Sequence, residues 1–217
     1  MSELLVRLST KSRHVFVSGT IDDEMAKAVI AQLLFLEQEG PGTPICMHIN
    51  SSGGKVYAGL AIHDVMATIR SPVHTTCLGH CESMAAIILA AGEPGSRFAL
   101  PNSKMMIHQP VRGASTTGKS NAREMAIQAA EIDRSRRKLA TLLAQSTGQT
   151  VAEVEALLEH DHHMDAHQAL ALGLIDSIGA PWAKGRHEPA SHPPPSDSDR
   201  ESHAEPPSGQ SIGQGPE

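Results

Sequence analysis

One serine stands where the chain turns from polar to apolar. In GHCESMAAIILAAG (residues 79–92), Ser83 immediately precedes the apolar run MAAIILAA. Serine is a favoured N-cap, so the simplest interpretation is the start of a helix. The alternative is a nucleophile at a helix N-terminus. A serine hydroxyl is a poor nucleophile until a neighbouring base takes its proton, so this alternative requires a partner elsewhere in the chain.

The candidate base and acid lie further along the sequence. His108 ends the apolar strand pattern KMMIHQP, and Asp161 lies in EHDHHMDA. An aspartate can hold an imidazole in orientation, as in Ser-His-Asp triads. Asp165 and Asp176 are competing acids, because spacing alone does not choose among the three. For each residue taken alone, a capping or solvated role is the simpler interpretation.

Acyl transfer also needs N–H donors for the developing oxyanion. The first N–H groups of a helix have no intrahelical partner, which makes the Met84 N–H the nearest donor. A second donor has to come from another loop. INSSGG ends a strand pattern with Gly53 and Gly54, and glycine lets the backbone approach a ligand closely. An ordinary turn would use the same residues.

The remaining sequence supplies alternating strand and helix patterns. Strand patterns occur at 14–19, 44–50, 72–78, 97–100, 104–110 and 174–178, and helix patterns at 22–40, 56–69, 121–146, 151–159, 165–173 and from 83 onward. Repeated β-α units predict an α/β fold with a parallel core. The helix at 121–146 carries a predicted apolar stripe, which comprises Met125, Ala129, Ile132, Leu139 and Leu143.

Length and composition predict one folded domain with a tail. The 217 residues suit a single body, assigned to 1–184, and the last segment, 185–217, holds seven of the 14 prolines. That segment has too few apolar residues to offset its ordering entropy, which predicts disorder.

Several classes of protein are disfavoured by composition. A net charge of −6 and a pI near 6.1 argue against nucleic-acid binding. The longest apolar run, 84–91, has eight residues, far below the ~18 that a membrane span needs. The N-terminus lacks the pattern of a signal peptide, and three cysteines without a CxxC pair suggest reduced thiols. We therefore expect a cytoplasmic protein.

Several blocks together resemble one family. The blocks are IDDEMAKAVIAQLLFLEQE, INSSGGKVYAGLAIHDVM, ESMAAIILAAGEPGSRFALPNSKMMIHQP, TGQTVAEVE and ALGLID. In this order, from about residue 15 to about 178, they are similar to the Clp protease proteolytic subunit (ClpP). The resemblance implies a ClpP/crotonase-like fold with a protruding helical handle at about 111–146. It also implies a serine endopeptidase that needs neither a metal nor an organic cofactor.

The resemblance assigns roles to individual residues. It makes Ser83 the nucleophile and His108 the base, and it selects Asp161 over Asp165 as the orienting acid. Gly54 and Met84 would supply the oxyanion N–H groups. An extended peptide substrate would lie between two short segments, which comprise Gly54, Lys55 and Val56 on one side and Val111, Arg112 and Gly113 on the other. Main-chain pairing of that kind tolerates many side chains.

The resemblance also implies an assembly of two stacked seven-membered rings, with peptide substrates cleaved inside. ATP use would belong to an AAA+ ATPase partner. The aromatic positions that dock the ATPase fall on Cys46, His48 and Thr68, and this loss of large apolar anchors argues against strong docking. Two alternatives follow: a catalytically impaired regulatory subunit of a mixed ring with a paralogue, and a crotonase-like acyl-CoA enzyme.

Some features depart from the family pattern. The chain has SSGG for SPGG, and HCES precedes the apolar run. GASTTGKS (113–120) matches the P-loop expression, but too little folded chain follows it for a nucleotide-binding sheet. A histidine cluster comprises His160, His162, His163 and His167. Its spacing lacks a firm metal-binding form, so a solvated cluster at a helix start is favoured.

Overall fold

The computed structural model describes residues 12–111, 121–179 and 188–189. Its strands are β1 His14–Ser18, β2 Ile45–Ser51, β3 Val73–Glu82, β4 Arg97–Ala99, β5 Lys104–Ile107, β6 His162–Asp165, β7 Ser177–Ile178 and β8 Glu188–Pro189. Its helices are α1 Asp23–Glu39, α2 Val56–Thr68, α3 Met84–Ala90, α4 Ala122–Thr147, α5 Val151–Leu158 and α6 Ala166–Leu172. None of these helices combines the length and apolar character that crossing a bilayer requires.

One sheet branches at its third strand. Strands β1, β2, β3, β4, β7 and β8 follow one another, while β5 pairs with β3 and β6 pairs with β5. Every pairing is parallel except β5–β6 and β7–β8. The predicted α/β fold with a parallel core is therefore confirmed, with antiparallel strands added at two edges.

The branch exists because β3 is long enough to pair with a different strand along each of its halves. Its ten residues extend beyond the strand predicted at 72–78. Its first half pairs with β4 at Thr75–Cys77, and its second half pairs with β5 at His80–Glu82. A single strand thus reaches from the central sheet to the residue before Ser83.

The core lies on the helix-covered face of the sheet. Val15, Val17, Met47 and Ile49 alternate with less buried positions along β1 and β2, as a half-covered sheet requires. Helix α1 buries Ala26, Val29, Leu33 and Leu36 at three- and four-residue spacing. Its start is set by Asp22, whose side chain accepts the Met25 N–H at 2.9 Å.

Helix α4 is the predicted handle helix, and its two halves differ. It begins with a capping box between Asn121 and Glu124 and ends at Gly148 in the left-handed conformation. Met125, in the first half, is 59% exposed. Leu139 and Leu143, in the second half, are buried within their own chain. Only the C-terminal part of the predicted stripe therefore packs on the described body.

Two short strands differ from the sequence predictions. The segment predicted as a helix start at the histidine cluster is instead β6, because its backbone pairs with β5 from Lys104–Asp165 to Ile107–His162. The predicted strand at 174–178 is reduced to its last two residues. Strand β8 falls within the predicted tail and pairs with β7, while the domain boundaries stay predictions.

Candidate active site

Ser83 occupies the sharp junction between β3 and α3. Its φ of 55° is in the left-handed region, which a residue with a Cβ adopts only when its surroundings impose it. The Ser83 N–H donates to the Met106 carbonyl of β5 at 2.8 Å. Its side chain makes no capping hydrogen bond to α3. Ser83 occupies the N-cap position, but its hydroxyl does not cap α3, so the simplest interpretation of this serine does not explain its side chain.

The Ser83 hydroxyl instead meets His108. The distance between His108 Nε2 and Ser83 Oγ is 3.0 Å, within hydrogen-bonding range. The register of β3 and β5 explains this meeting, because Glu82 pairs with Met106 and each site residue lies just beyond its strand. The His108 side chain is 16% exposed, so it retains some access to solvent.

Asp161 lies on the other side of the imidazole. Its Oδ1 is 3.5 Å from His108 Nδ1, longer than a charge-assisted hydrogen bond, and its side chain is 65% exposed. The antiparallel pairing of Ile107 with His162 brings these residues together, since Asp161 precedes β6 and His108 follows β5.

Both competing acids have other partners. The Asp165 side chain accepts the Gln168 N–H at 2.8 Å and caps α6. Asp176 accepts from the Arg97 guanidinium at 2.5 Å and 2.8 Å. Of the three candidate acids, the structure therefore places only Asp161 next to His108.

Two backbone segments flank Ser83 with N–H groups. Met84 is the first residue of α3 and has no intrahelical acceptor. Gly53 lies against the junction, since a Cβ added there would stand 2.8 Å from Ser83 Cβ and 3.0 Å from Met84 N. Neither Gly54 nor Met84 donates its N–H in any hydrogen bond between described residues. Among the described residues both N–H groups thus lack an acceptor; Met84 directly follows the serine, and Gly54 directly follows the glycine packed against it.

An apolar cleft opens next to the serine and histidine. Its cavity volume is about 20 Å³, room for about one water molecule. Its apolar lining includes Val56, Ile87, Ile107, Leu139, Leu143 and Leu158. Ser83, Met84, His108 and Pro110 complete the lining, so the surface beside the serine and histidine is largely apolar. Leu139 and Leu143 come from the handle stripe, and sequence reasoning had not assigned them to the site.

The predicted substrate segments are only partly described. Val56 lines the cleft, and the Lys55 ammonium is 2.6 Å from the Asp23 carboxylate. Val111 is 72% exposed. Arg112 and Gly113 lie outside the described residues, as does GASTTGKS.

The histidine cluster and all three cysteines lie within the described residues. His162 and His163 are neighbours in β6, so they point to opposite faces of the sheet. Within the described ranges, no three His, Cys, Asp or Glu side chains converge to hold a metal ion. Cys46, Cys77 and Cys81 are free thiols.

A model of the Clp protease family matches residues 2–181. The chain belongs to the Clp protease family. This membership supports a serine peptidase function, and members of the Clp protease family generally form oligomeric rings.

Proposed function

We propose that this chain is a serine endopeptidase of the Clp type, with Ser83 as nucleophile, His108 as base and Asp161 as orienting acid. The contact between His108 Nε2 and Ser83 Oγ, 3.0 Å long, carries the proposal. Nucleophile and base within hydrogen-bonding reach are the signature of this chemistry. With a proton on Nδ1, Nε2 accepts the serine hydroxyl.

The chemistry proceeds in two acyl transfers. Ser83 Oγ attacks the peptide carbonyl carbon while its proton passes to His108 Nε2. The imidazolium then gives that proton to the leaving amine as the C–N bond breaks. Water hydrolyses the acyl-serine by the same steps, which restores Ser83 and His108. Asp161 favours the Nδ1–H tautomer and stabilises the imidazolium, with a strength that its exposure to solvent reduces.

The oxyanion and the substrate are held by backbone and apolar surface. We assign the oxyanion to the N–H groups of Gly54 and Met84, which flank Ser83. The side chain on the acyl side of the scissile bond lies over the apolar cleft. Gly54, Lys55 and Val56 face one side of the peptide, and Val111 faces the other; the assignment of Arg112 and Gly113 to that second side rests on the family resemblance alone.

We further propose that cleavage takes place inside stacked heptameric rings. The exposed Met125 and Ile127 on the handle helix support a contact beyond the single chain. The chain could also share a mixed ring with a paralogue, and any ATP use would come from a partner ATPase. The positions that docking would need are a half-buried Cys46, a buried His48 and an exposed Thr68, which favours weak docking.

Covalent labelling tests the activity directly. We expect a fluorophosphonate to add once to the wild-type chain and not to Ser83→Ala, as measured by intact mass. Assembled wild-type chain should also hydrolyse a short fluorogenic peptide that the variant leaves intact. Ser103→Ala controls for the loss of a buried serine hydroxyl and should label normally. Absence of both adduct and hydrolysis in assembled wild type would replace this proposal with a regulatory subunit or an acyl-CoA enzyme.

A further inference from the structure

Ser51, at the end of β2, carries a fully buried hydroxyl next to the glycine loop. Its Oγ donates to the Gly19 carbonyl at 2.5 Å and accepts the Gly53 N–H at 3.0 Å. The residue is 0% exposed. The Ser51 side chain therefore connects the loop after β2 to the residue that follows β1 through these two hydrogen bonds.

The loop is held from its other side by the segment before α1. The Ile21 N–H donates to the Gly53 carbonyl at 2.8 Å, and the Lys55 N–H donates to the Ile21 carbonyl at 2.8 Å. Gly53 thus has both its N–H and its C=O engaged, the first by Ser51 and the second by Ile21. Its φ of +85° is one that glycine adopts without strain.

The bond from the Ile21 N–H to the Gly53 carbonyl determines where the next N–H points, while the Ser51 bond fixes the peptide before it. The described chain contains no cis peptide bond, so the Gly53–Gly54 peptide is trans. In a planar trans peptide the N–H and C=O point in opposite directions. Because the Gly53 carbonyl faces Ile21, the Gly54 N–H faces away from Ile21. Ser83 and Met84 lie against the same glycine pair, at Gly53.

From this geometry we infer that Ser51 is a positioning residue for the oxyanion hole: its hydroxyl fixes the Ser52–Gly53 peptide, and with it the backbone of Gly53, so that the Gly54 N–H is aimed at the tetrahedral intermediate. The inference rests on the proposed function of Ser83. Ser51 touches neither substrate nor nucleophile in this scheme. It acts only through the backbone of the loop.

The neighbouring residue explains why a side chain is needed here. The chain has Ser52 where the SPGG pattern of the resembling family has proline, so one restraint on the backbone is absent. Gly53 and Gly54 add further freedom. A loop of this composition keeps one peptide orientation only if other contacts impose it, and the Ser51 hydroxyl supplies one of them beside the backbone of Ile21.

The test compares Ser51→Ala with Ser103→Ala. Ser103 is 2% exposed and its hydroxyl donates to the Cys77 carbonyl at 3.0 Å, so its removal costs a similar buried hydrogen bond away from the loop. Ser51→Cys, which keeps the side-chain volume but weakens both hydrogen bonds, covers the case in which the alanine variant folds poorly. Each rate is divided by the fraction of chains that carry a fluorophosphonate adduct once labelling is complete, so that it refers to active sites only.

Three quantities are measured in assembled full-length protein: kcat, KM, and the inhibition constant of a peptide boronic acid. The boron accepts an electron pair from Ser83 Oγ to form a B–O bond, the serine proton passes to His108, and the product is a tetrahedral anion. We expect Ser51→Ala and Ser51→Cys to lower kcat at least about 10-fold, because small misplacements of catalytic groups are costly. The boronate should bind more weakly by a comparable factor while KM stays within about twofold, since only tetrahedral species use the oxyanion donors.

The outcomes separate this inference from the proposed function. If Ser51→Ala changes kcat and boronate binding no more than Ser103→Ala does, Ser51 is merely structural and the inference is wrong. The same holds if kcat falls while boronate affinity is retained. If assembled wild-type chain neither hydrolyses the peptide nor takes up fluorophosphonate, the proposed function fails and the inference falls with it.

Discussion

Asp161 is the most solvent-exposed side chain of the proposed triad, and its contact with His108 is the longest. A carboxylate that is 65% exposed and 3.5 Å from its partner interacts through a high dielectric. We expect Asp161→Ala to lower kcat by roughly 10²-fold, less than the ~10⁴-fold lost with a buried triad acid. Steady-state hydrolysis of a fluorogenic peptide measures this.

Asp165 provides the matched control for that substitution. It lies four residues away and caps α6 instead of contacting the histidine. Asp165→Ala should leave kcat unchanged and reduce the free energy of unfolding by about 1 kcal/mol. Equal effects of the two substitutions on kcat would show that Asp161 has no specific role.

Side-chain chemistry and local pattern were enough to make Ser83 and His108 candidates, because each lies at a visible change from strand or helix pattern, and the family resemblance then assigned their roles. The acid could not be selected in this way. Its approach to His108 depends on the pairing of β5 with β6, which joins residues more than 50 positions apart along the chain. Only the family resemblance favoured Asp161 before the structure placed it.

At the scale of elements, the long and strongly periodic segments were predictable, and so were short strands such as β4 and β5, whereas the edge strand β6 was not. Helix α4, Ala122–Thr147, matches its predicted range to within one residue at each end, because caps and stripe agree. Strand β6 has only Met164 buried among four mostly polar residues, so no alternation was visible. The second half of β3 is a strand because β5 supplies its partner, a non-local cause.

The Arg97–Asp176 pair connects several of these elements. Arg97, 9% exposed at its side chain, also donates to the carbonyls of Ser146 in α4 and Ala90 in α3. Removing one member of a buried pair leaves an uncompensated charge. We expect Arg97→Met to reduce the free energy of unfolding by about 3–5 kcal/mol, measured by urea denaturation.

The double variant Arg97→Met/Asp176→Leu tests the cause. It removes both charges, so it should recover much of the stability lost in Arg97→Met. The loss of unfolding free energy in the double variant could instead equal the sum of the losses in Arg97→Met and Asp176→Leu. In that case the loss comes from packing and from the carbonyl contacts of Arg97, and the charge explanation is wrong.

At the scale of the whole molecule, the buried His48 makes the stability of the fold depend on pH. His48 is 5% exposed and stacks on His14, with ring centroids 4.9 Å apart and His14 Nδ1 2.6 Å from His48 Nε2. Burial, and then the charge of His14, lower the pKa of His48 from 6.5 to about 4. The folded protein therefore keeps His48 neutral over a range in which the unfolded chain is protonated.

This difference makes the folded state less stable as pH falls from about 6.5 towards 4, by up to about 3 kcal/mol from His48 alone. Above pH 6.5 both states are neutral, so the contribution is constant. We expect His48→Gln to flatten the dependence of the free energy of unfolding on pH within that window. His160→Gln, which removes an exposed histidine elsewhere, is the matched control. A wild-type slope that persists in His48→Gln would assign the acid sensitivity to other groups.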